Sequence, residues 1–222
     1  MTQAVDTLLI FDLDGTLFQT EKVSYRAAVE CFTSFGLDKP GRDEVVDWFG
    51  RPIHEFVAWV VTKVGPKASP EEVLDEFSRL EFALIPEAGE LFEGVREALE
   101  FFSSEGFTLA ICSNGSKDYV ELVTGEMGID GHFSRLSCRK GLDDVKPLRV
   151  RELKDEFKPE RGMVIGDRAD DVLAANQNDF FSLGCLYGYA QKGELNEADA
   201  LIKDPKNLQA VIMQVFEEQT EK

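Results

Sequence analysis

Leu8-Leu9-Ile10-Phe11-Asp12-Leu13-Asp14-Gly15-Thr16 is the stretch that decides how this chain folds. Four consecutive apolar residues fit a strand buried on both faces, as in a parallel sheet. The run stops at two carboxylates spaced i, i+2, which on an extended chain point the same way. Two anions at the edge of a core are costly unless a cation or a proton offsets them. The plainer alternative is a surface turn, since Asp-Gly is a common turn pair. The apolar run directly before it favours a sheet edge instead.

Working outward, similar runs recur at 107–112, 163–165 and 181–186, with a weaker one at 200–202. Helix-period segments lie between them. Residues 94–104 place Val95, Ala98, Leu99 and Phe102 on one face, and 117–127 place Val120, Val123 and Met127, with Gly128 as the stop. The stretch after Asp171 and residues 207–218 also read as helices. Strands alternating with helices after residue 90 predict an α/β fold, a doubly wound parallel sheet.

Residues 18–88 read differently, with no clear strand. Tyr25, Ala28, Val29, Phe32 and Phe35 form a helical stripe ended by Gly36. Ile53, Phe56, Val57, Val60, Val61 and Val64 form another, begun by Pro52 at a favoured first position. Ser69-Pro70-Glu71-Glu72 carries an N-cap, a first-turn proline and a capping-box glutamate ahead of Leu74, Phe77, Leu80 and Leu84. The expected organisation is an α/β core of 1–17 and 89–222, with an all-helical cap of 18–88 inserted after the first strand. A lid there would cover the sheet edge where ligands bind.

The chain has 222 residues, 42 acidic against 24 basic, a formal charge of −18 and 43% hydrophobic residues. That supports one core of normal size plus an insertion. The negative balance argues against nucleic acid or an anionic membrane as partner. A bound cation can reverse the local sign, so an anionic substrate remains open. The N-terminal residues do not form a signal peptide, and no apolar run approaches the ~18 residues that span a bilayer. The four cysteines are scattered without a CxxC, which fits reduced thiols and a cytoplasmic protein. Two histidines leave little for a Ser-His-Asp or multi-His zinc mechanism.

Three further clusters carry chemistry. Gly166-Asp167-Arg168-Ala169-Asp170-Asp171 follows the apolar 163–165 run. A second acidic cluster at a second strand end suggests a shared hard-cation site, Mg²⁺ being the oxygen-preferring choice; an acidic helix N-terminus is the plainer reading, above all for Asp170. Ser113-Asn114-Gly115 follows the 107–112 run and offers a hydroxyl and backbone N–H groups to a phosphate oxygen, although Ser and Asn are also ordinary N-caps. Lys146-Pro147 reads as an extended segment whose lysine could meet phosphate charge; alone it is an ordinary solvated loop.

In this order and spacing, Asp-Leu-Asp-Gly-Thr, Ser-Asn, Lys-Pro and Gly-Asp-x-x-x-Asp resemble the four motifs of the haloacid dehalogenase-like hydrolase superfamily. The inserted helical block is similar to the cap of its phosphoglycolate phosphatase-like and β-phosphoglucomutase-like branch, and the resemblance covers essentially the whole chain. It implies a Rossmann-like core and a Mg²⁺-dependent phosphatase acting on a small phosphorylated metabolite. Asp12 would be the nucleophile that becomes an aspartyl-phosphate. Asp14 would protonate the leaving oxygen and later deprotonate water, its backbone carbonyl touching the metal. Asp167 and Asp171 would complete the metal set, and Ser113, Asn114 and Lys146 would hold the phosphoryl group. Gly50-Arg51-Pro52 resembles the cap loop of relatives, making Arg51 a candidate for an anionic substrate group; a surface ion pair is the alternative.

Departures mark where the pattern loosens. Lys-Pro-x-Pro is common in relatives, but Lys146-Pro147-Leu148-Arg149 stands here, which leaves Lys140 as a rival lysine. Gln19-Thr20 replaces the usual Asp-Ser or Asp-Thr, and Ser24 replaces a histidine carried by mutases. Phosphosugar mutase and a non-catalytic binding module on the same fold are the alternatives. Asp14 argues against C–halogen hydrolysis, whose branch lacks a second aspartate. Trp48, Phe49 and Trp59 read as cap core. A monomer is expected.

Overall fold

The structure is a computed structural model and describes residues 6–220. The first apolar run forms β1 (Thr7–Phe11), all five residues buried. Four helices follow: α1 (Glu21–Ser34), α2 (Arg42–Val46), α3 (Ile53–Val64) and α4 (Pro70–Ala88). After them come α5 (Val95–Ser104), β2 (Thr108–Ser113), α6 (Lys117–Glu126), β3 (Arg135–Cys138), α7 (Lys146–Phe157), β4 (Arg161–Gly166), α8 (Ala169–Asn176), β5 (Phe181–Cys185), β6 (Ala200–Ile202) and α9 (Leu208–Thr220).

The six strands are parallel, in the order β3-β2-β1-β4-β5-β6. This is the α/β doubly wound sheet that the alternation of runs predicts. Its strand order reverses between β1 and β4, where ligands bind at the carboxyl ends of such sheets. The register sets Phe11 opposite Ile165, so Asp12 and Gly166 leave the sheet side by side; Asp12 N donates to Ile165 O at 2.8 Å.

Period-two alternation divides β1 between two cores. Leu8 and Ile10 pack with Val150, Leu153 and Phe157 of α7 and Ala174 and Ala175 of α8. Leu9 and Phe11 face the other way, into a cluster that includes Leu99 and Phe102 of α5, Val120 of α6 and Ile212 of α9. That second core continues through Leu13, Leu17 and Phe18 into Ala27 of α1, Val60 of α3 and Leu84 of α4. Both sheet faces are therefore dry, which is why the central strands read as unbroken apolar runs.

Local signals are met closely at α4. Ser69 Oγ accepts from Glu72 N at 3.2 Å and Glu72 Oε2 accepts from Ser69 N at 2.7 Å, closing the capping box. Pro52 is the N-cap of α3 rather than its first helical residue. Three elements escape the sequence pattern: the five-residue α2, β3 and α7. β3 lies at the sheet edge and contains Arg135 and Ser137, so it lacks an apolar run. α7 begins at Lys146 with Pro147 in its first turn, which corrects the expected extended segment: proline is accommodated there because that N–H needs no partner.

All four cysteines are unpaired and buried. Among the described residues no helix is long and apolar enough to cross a membrane.

Candidate active site

The carboxyl ends of β1 and β4 bring three buried acids together. One carboxylate oxygen from each of Asp12, Asp167 and Asp171 lies within 4.8 Å of the others. β1 ends one residue before Asp12 and β4 one before Asp167, while Asp171 comes from the first turn of α8. The approach needs glycine. A Cβ on Gly166 would sit 2.0 Å from Asp171 Cγ, and one on Gly15, at φ 81°, would sit 2.3 Å from Asp167 Oδ2.

Lys146 supplies the ammonium that faces this cluster. Its Nζ donates to Asp12 Oδ1 at 2.9 Å and Asp171 Oδ1 at 2.6 Å, and lies 3.6 Å from Asp170 Oδ1. Burial opposes charge on Lys146, but Asp12, Asp170 and Asp171 outweigh it and hold its pKa well above the usual lysine range. The rival Lys140 is exposed, 3.3 Å from Glu152. Lys146 is therefore the lysine that reaches the acids.

One ammonium does not neutralise three carboxylates. Burial raises the Asp12 pKa to about 7, with Lys146 opposing the rise and Asp167 and Asp14 adding to it. Burial and Asp171 push Asp167 to about 8, although Tyr189 N donates to its Oδ2 at 2.6 Å. Asp171 is also raised, by burial first, while Arg168 N donates to its Oδ2 at 3.0 Å. Asp12 Oδ2 is buried with no hydrogen-bond partner. An orphaned carboxylate oxygen beside two more acids fits a hard divalent cation, which prefers oxygen ligands and supplies the missing charge.

Asp14 does not join the triad. Its Oδ1 accepts from Tyr119 Oη at 2.6 Å and from Thr20 Oγ1 at 2.7 Å. Burial raises its pKa, and these two donors pull it back. Asp14 thus has its own two donors, while lying near enough to Asp12 to help raise that group's pKa. Tyr119 and Thr20 went unnoticed in the sequence; Thr20 sits where the Gln19-Thr20 departure drew attention, but Tyr119 meets Asp14 only through tertiary folding.

Ser113 ends β2 fully buried, its Oγ accepting from Gly115 N at 3.0 Å. Asn114 spends its side chain on other groups. Its Nδ2 donates to Gly50 O at 3.0 Å and Asp170 Oδ2 at 2.8 Å, and its Oδ1 accepts from Arg149 NH2 at 2.8 Å. With all its side-chain bonds engaged, it ties the α2–α3 loop to the sheet edge, and only its backbone N–H is left for a phosphate. Arg149 is itself buried and paired with Asp144 at 2.9 Å. Arg51 is partly exposed, 4.0 Å from Glu55 and 5.6 Å above the Trp48 ring.

An open cavity of about 380 Å³ adjoins Asp14 and is lined by α1, the α2–α3 loop, α3, α4 and the loop after β2. Trp48 and Phe49 line it, so these residues serve a cavity wall as well as the helical core.

Comparison with known proteins follows the same outline. The chain is 27% identical over 203 residues to a phosphoglycolate phosphatase of Haemophilus influenzae (strain 86-028NP), covering 86% of this chain and 91% of that one. Its fold is similar to a predicted phosphoglycolate phosphatase from Haemophilus somnus (TM-score 0.83, 21% identity, 93% of this chain and 98% of that one). It is also similar to a putative β-phosphoglucomutase from Thermotoga maritima (TM-score 0.77, 23% identity, 94% and 99%). A family model described as haloacid dehalogenase-like hydrolase matches residues 9–184. With most of its length matched and its acidic clusters gathered at the switch point, the chain belongs to the haloacid dehalogenase-like hydrolase family.

Proposed function

We propose that the protein is a Mg²⁺-dependent phosphatase that hydrolyses a small phosphate monoester through an aspartyl-phosphate at Asp12, with residues 18–88 acting as its cap. The observation that carries this reading is the buried, unpartnered Oδ2 of Asp12 at the β1–β4 switch point, beside Lys146. The relatives named as phosphatases support the reaction class.

Asp12, Asp167 and Asp171 would hold the cation, with the Asp14 backbone carbonyl beside them. When bound, Mg²⁺ supplies positive charge to the phosphoryl oxygens and lets these acids ionise together. A carboxylate oxygen of Asp12 attacks phosphorus; a P–O bond forms as the ester P–O bond breaks, and Asp14 gives its proton to the departing oxygen. Asp14, now ionised, takes a proton from water, whose oxygen attacks phosphorus. The Asp12–phosphorus bond breaks, releasing phosphate and restoring both acids. Tyr119 and Thr20 hold Asp14 in place and stabilise its ionised form. The Ser113 hydroxyl, the Asn114 backbone N–H and the Lys146 ammonium compensate charge on the transferring group. Ser24 is bonded to Glu81, and no histidine stands at its position to serve a mutase.

Phosphate release from a panel of phosphorylated metabolites, with Mg²⁺ and with EDTA, tests this reading. Turnover should require the metal, and Asp12→Asn should abolish it. Metal-independent turnover, or near-normal activity in that variant, would overturn the assignment.

A further inference from the structure

Asp14 lies in the wall of the cavity of about 380 Å³. On the phosphatase reading, Asp14 hands its proton to the leaving oxygen, so this cavity lies where the leaving group goes. The chemistry of its wall then describes what that group is.

Glu81 enters the wall from α4 and is 8% exposed. Ser24 Oγ donates to its Oε1, and among the described residues no lysine or arginine pairs with it. Burial pushes its carboxyl up to about 8, and the nearby Asp14 adds to the shift. A buried carboxylate without a counter-ion is costly. Asp75 and Asp118 add two more acids to the wall, against Arg51 as the one cation. Arg51 is already engaged by the Trp48 ring and Glu55. Much of what remains is aromatic: Trp48, Phe49, Phe56, Phe77, Phe82 and Tyr119. Aromatic faces attract cations, and an acidic wall repels a carboxylate.

A wider groove of about 770 Å³ alongside contains more basic residues but not Asp14. Of those bases, Arg168 pairs with Glu194 at 3.1 Å and Lys146 with Asp12 and Asp171, while Arg139 donates to the carbonyls of Gly141 and Leu142. The groove lacks Asp14, the group that hands its proton to the leaving oxygen, so the smaller cavity is the one that meets the leaving group.

We infer that the cavity receives the leaving group of an ammonium-bearing phosphate monoester, with Glu81 as counter-ion and specificity-determining residue. This rests on the phosphatase reading and departs from the substrate in the relatives' names: 2-phosphoglycolate would set a carboxylate against Glu81.

The test uses three esters of similar size that differ in their terminal group: 2-aminoethyl phosphate, 2-hydroxyethyl phosphate and 2-phosphoglycolate. Glucosamine 6-phosphate and glucose 6-phosphate repeat the amine–hydroxyl comparison with a leaving group that fills more of the cavity. Acetyl phosphate reports turnover that does not depend on such a group. In each set kcat/KM should favour the amine, by about tenfold over the hydroxyl and more over the carboxylate. Glu81→Gln should reduce the amine-to-hydroxyl ratio by about tenfold, mainly through KM. That ratio is internal to each preparation, so loss of folded enzyme does not imitate it. If the variant fails to fold, the wild-type ranking decides. Preference for the carboxylate or hydroxyl esters, or an unchanged ratio in Glu81→Gln, overturns the inference. Turnover of acetyl phosphate without the ranking sinks this inference alone; absence of all turnover sinks the phosphatase reading with it.

Discussion

Asp12, Asp167 and Asp171 are all buried and face one ammonium. Such a site is arranged for charge compensation at the expense of stability. Asp12→Asn removes one of the crowded anions while Lys146 keeps Asp171. Its unfolding midpoint without divalent metal should therefore rise, by about 1–2 kcal/mol of stability, even as turnover is lost. Calorimetry checks this, and a lower midpoint would mean that Asp12 is held by partners stronger than those described. The same crowding sets a pH dependence. Burial raises Asp12 to about 7 and Asp167 to about 8, so both bind protons that a metal must displace. Mg²⁺ affinity should increase as pH rises from 6 through 8 and go on rising until Asp167 has lost its proton, about one unit higher. Titration calorimetry in buffers of different ionisation enthalpy should record proton release on binding, and pH-independent binding would contradict it.

At the scale of elements, the site depends on how closely strand ends and helix starts approach. Gly166 closes β4 against the first turn of α8, and a Cβ there meets the Asp171 carboxyl at 2.0 Å. Gly166→Ala should therefore displace Asp171, weakening Mg²⁺ binding at least about tenfold and costing about 1–3 kcal/mol from overpacking. Chemical denaturation together with metal titration separates the two effects. By contrast, Ser69→Ala removes only the α4 cap, 3.2 Å from Glu72 N. It should cost about 1 kcal/mol and leave Mg²⁺ affinity unaltered; a change in that affinity would show that α4 is coupled to the metal cluster.

For the whole molecule, the relation between the helical segment and the sheet decides access. Asn114 bonds Gly50 in the α2–α3 loop and Asp170 beside the acids, and Gln191 bonds Asp47 at 2.6 Å. The Phe49 and Tyr189 rings meet at 5.2 Å along the same seam. Asn114→Ala should loosen this closure without touching the core strands. Hydrogen exchange at 48–51 should quicken several-fold while amides of β1 and β4 remain protected; faster exchange in those strands would show that Asn114 supports the whole sheet rather than the seam.

Strands that are dry on both faces, helices with apolar stripes and sharp caps, and acids at strand ends are all legible in the amino-acid order. Each is written in a few adjacent residues, because burial on both sides demands continuous apolar runs and helix ends demand local partners. β3 escaped because an edge strand with one covered flank can carry Arg135 and Ser137. α7 escaped because its polar residues and proline resemble a loop until its first turn is seen. Which groups meet depends on the folded chain: Lys146 rather than Lys140 at Asp12, Tyr119 at Asp14, Asn114 at Gly50, and Glu81 beside Ser24 with no lysine or arginine paired to it among the described residues. These contacts join residues far apart in the chain. Their energies depend on distance and burial, which no short stretch of sequence encodes.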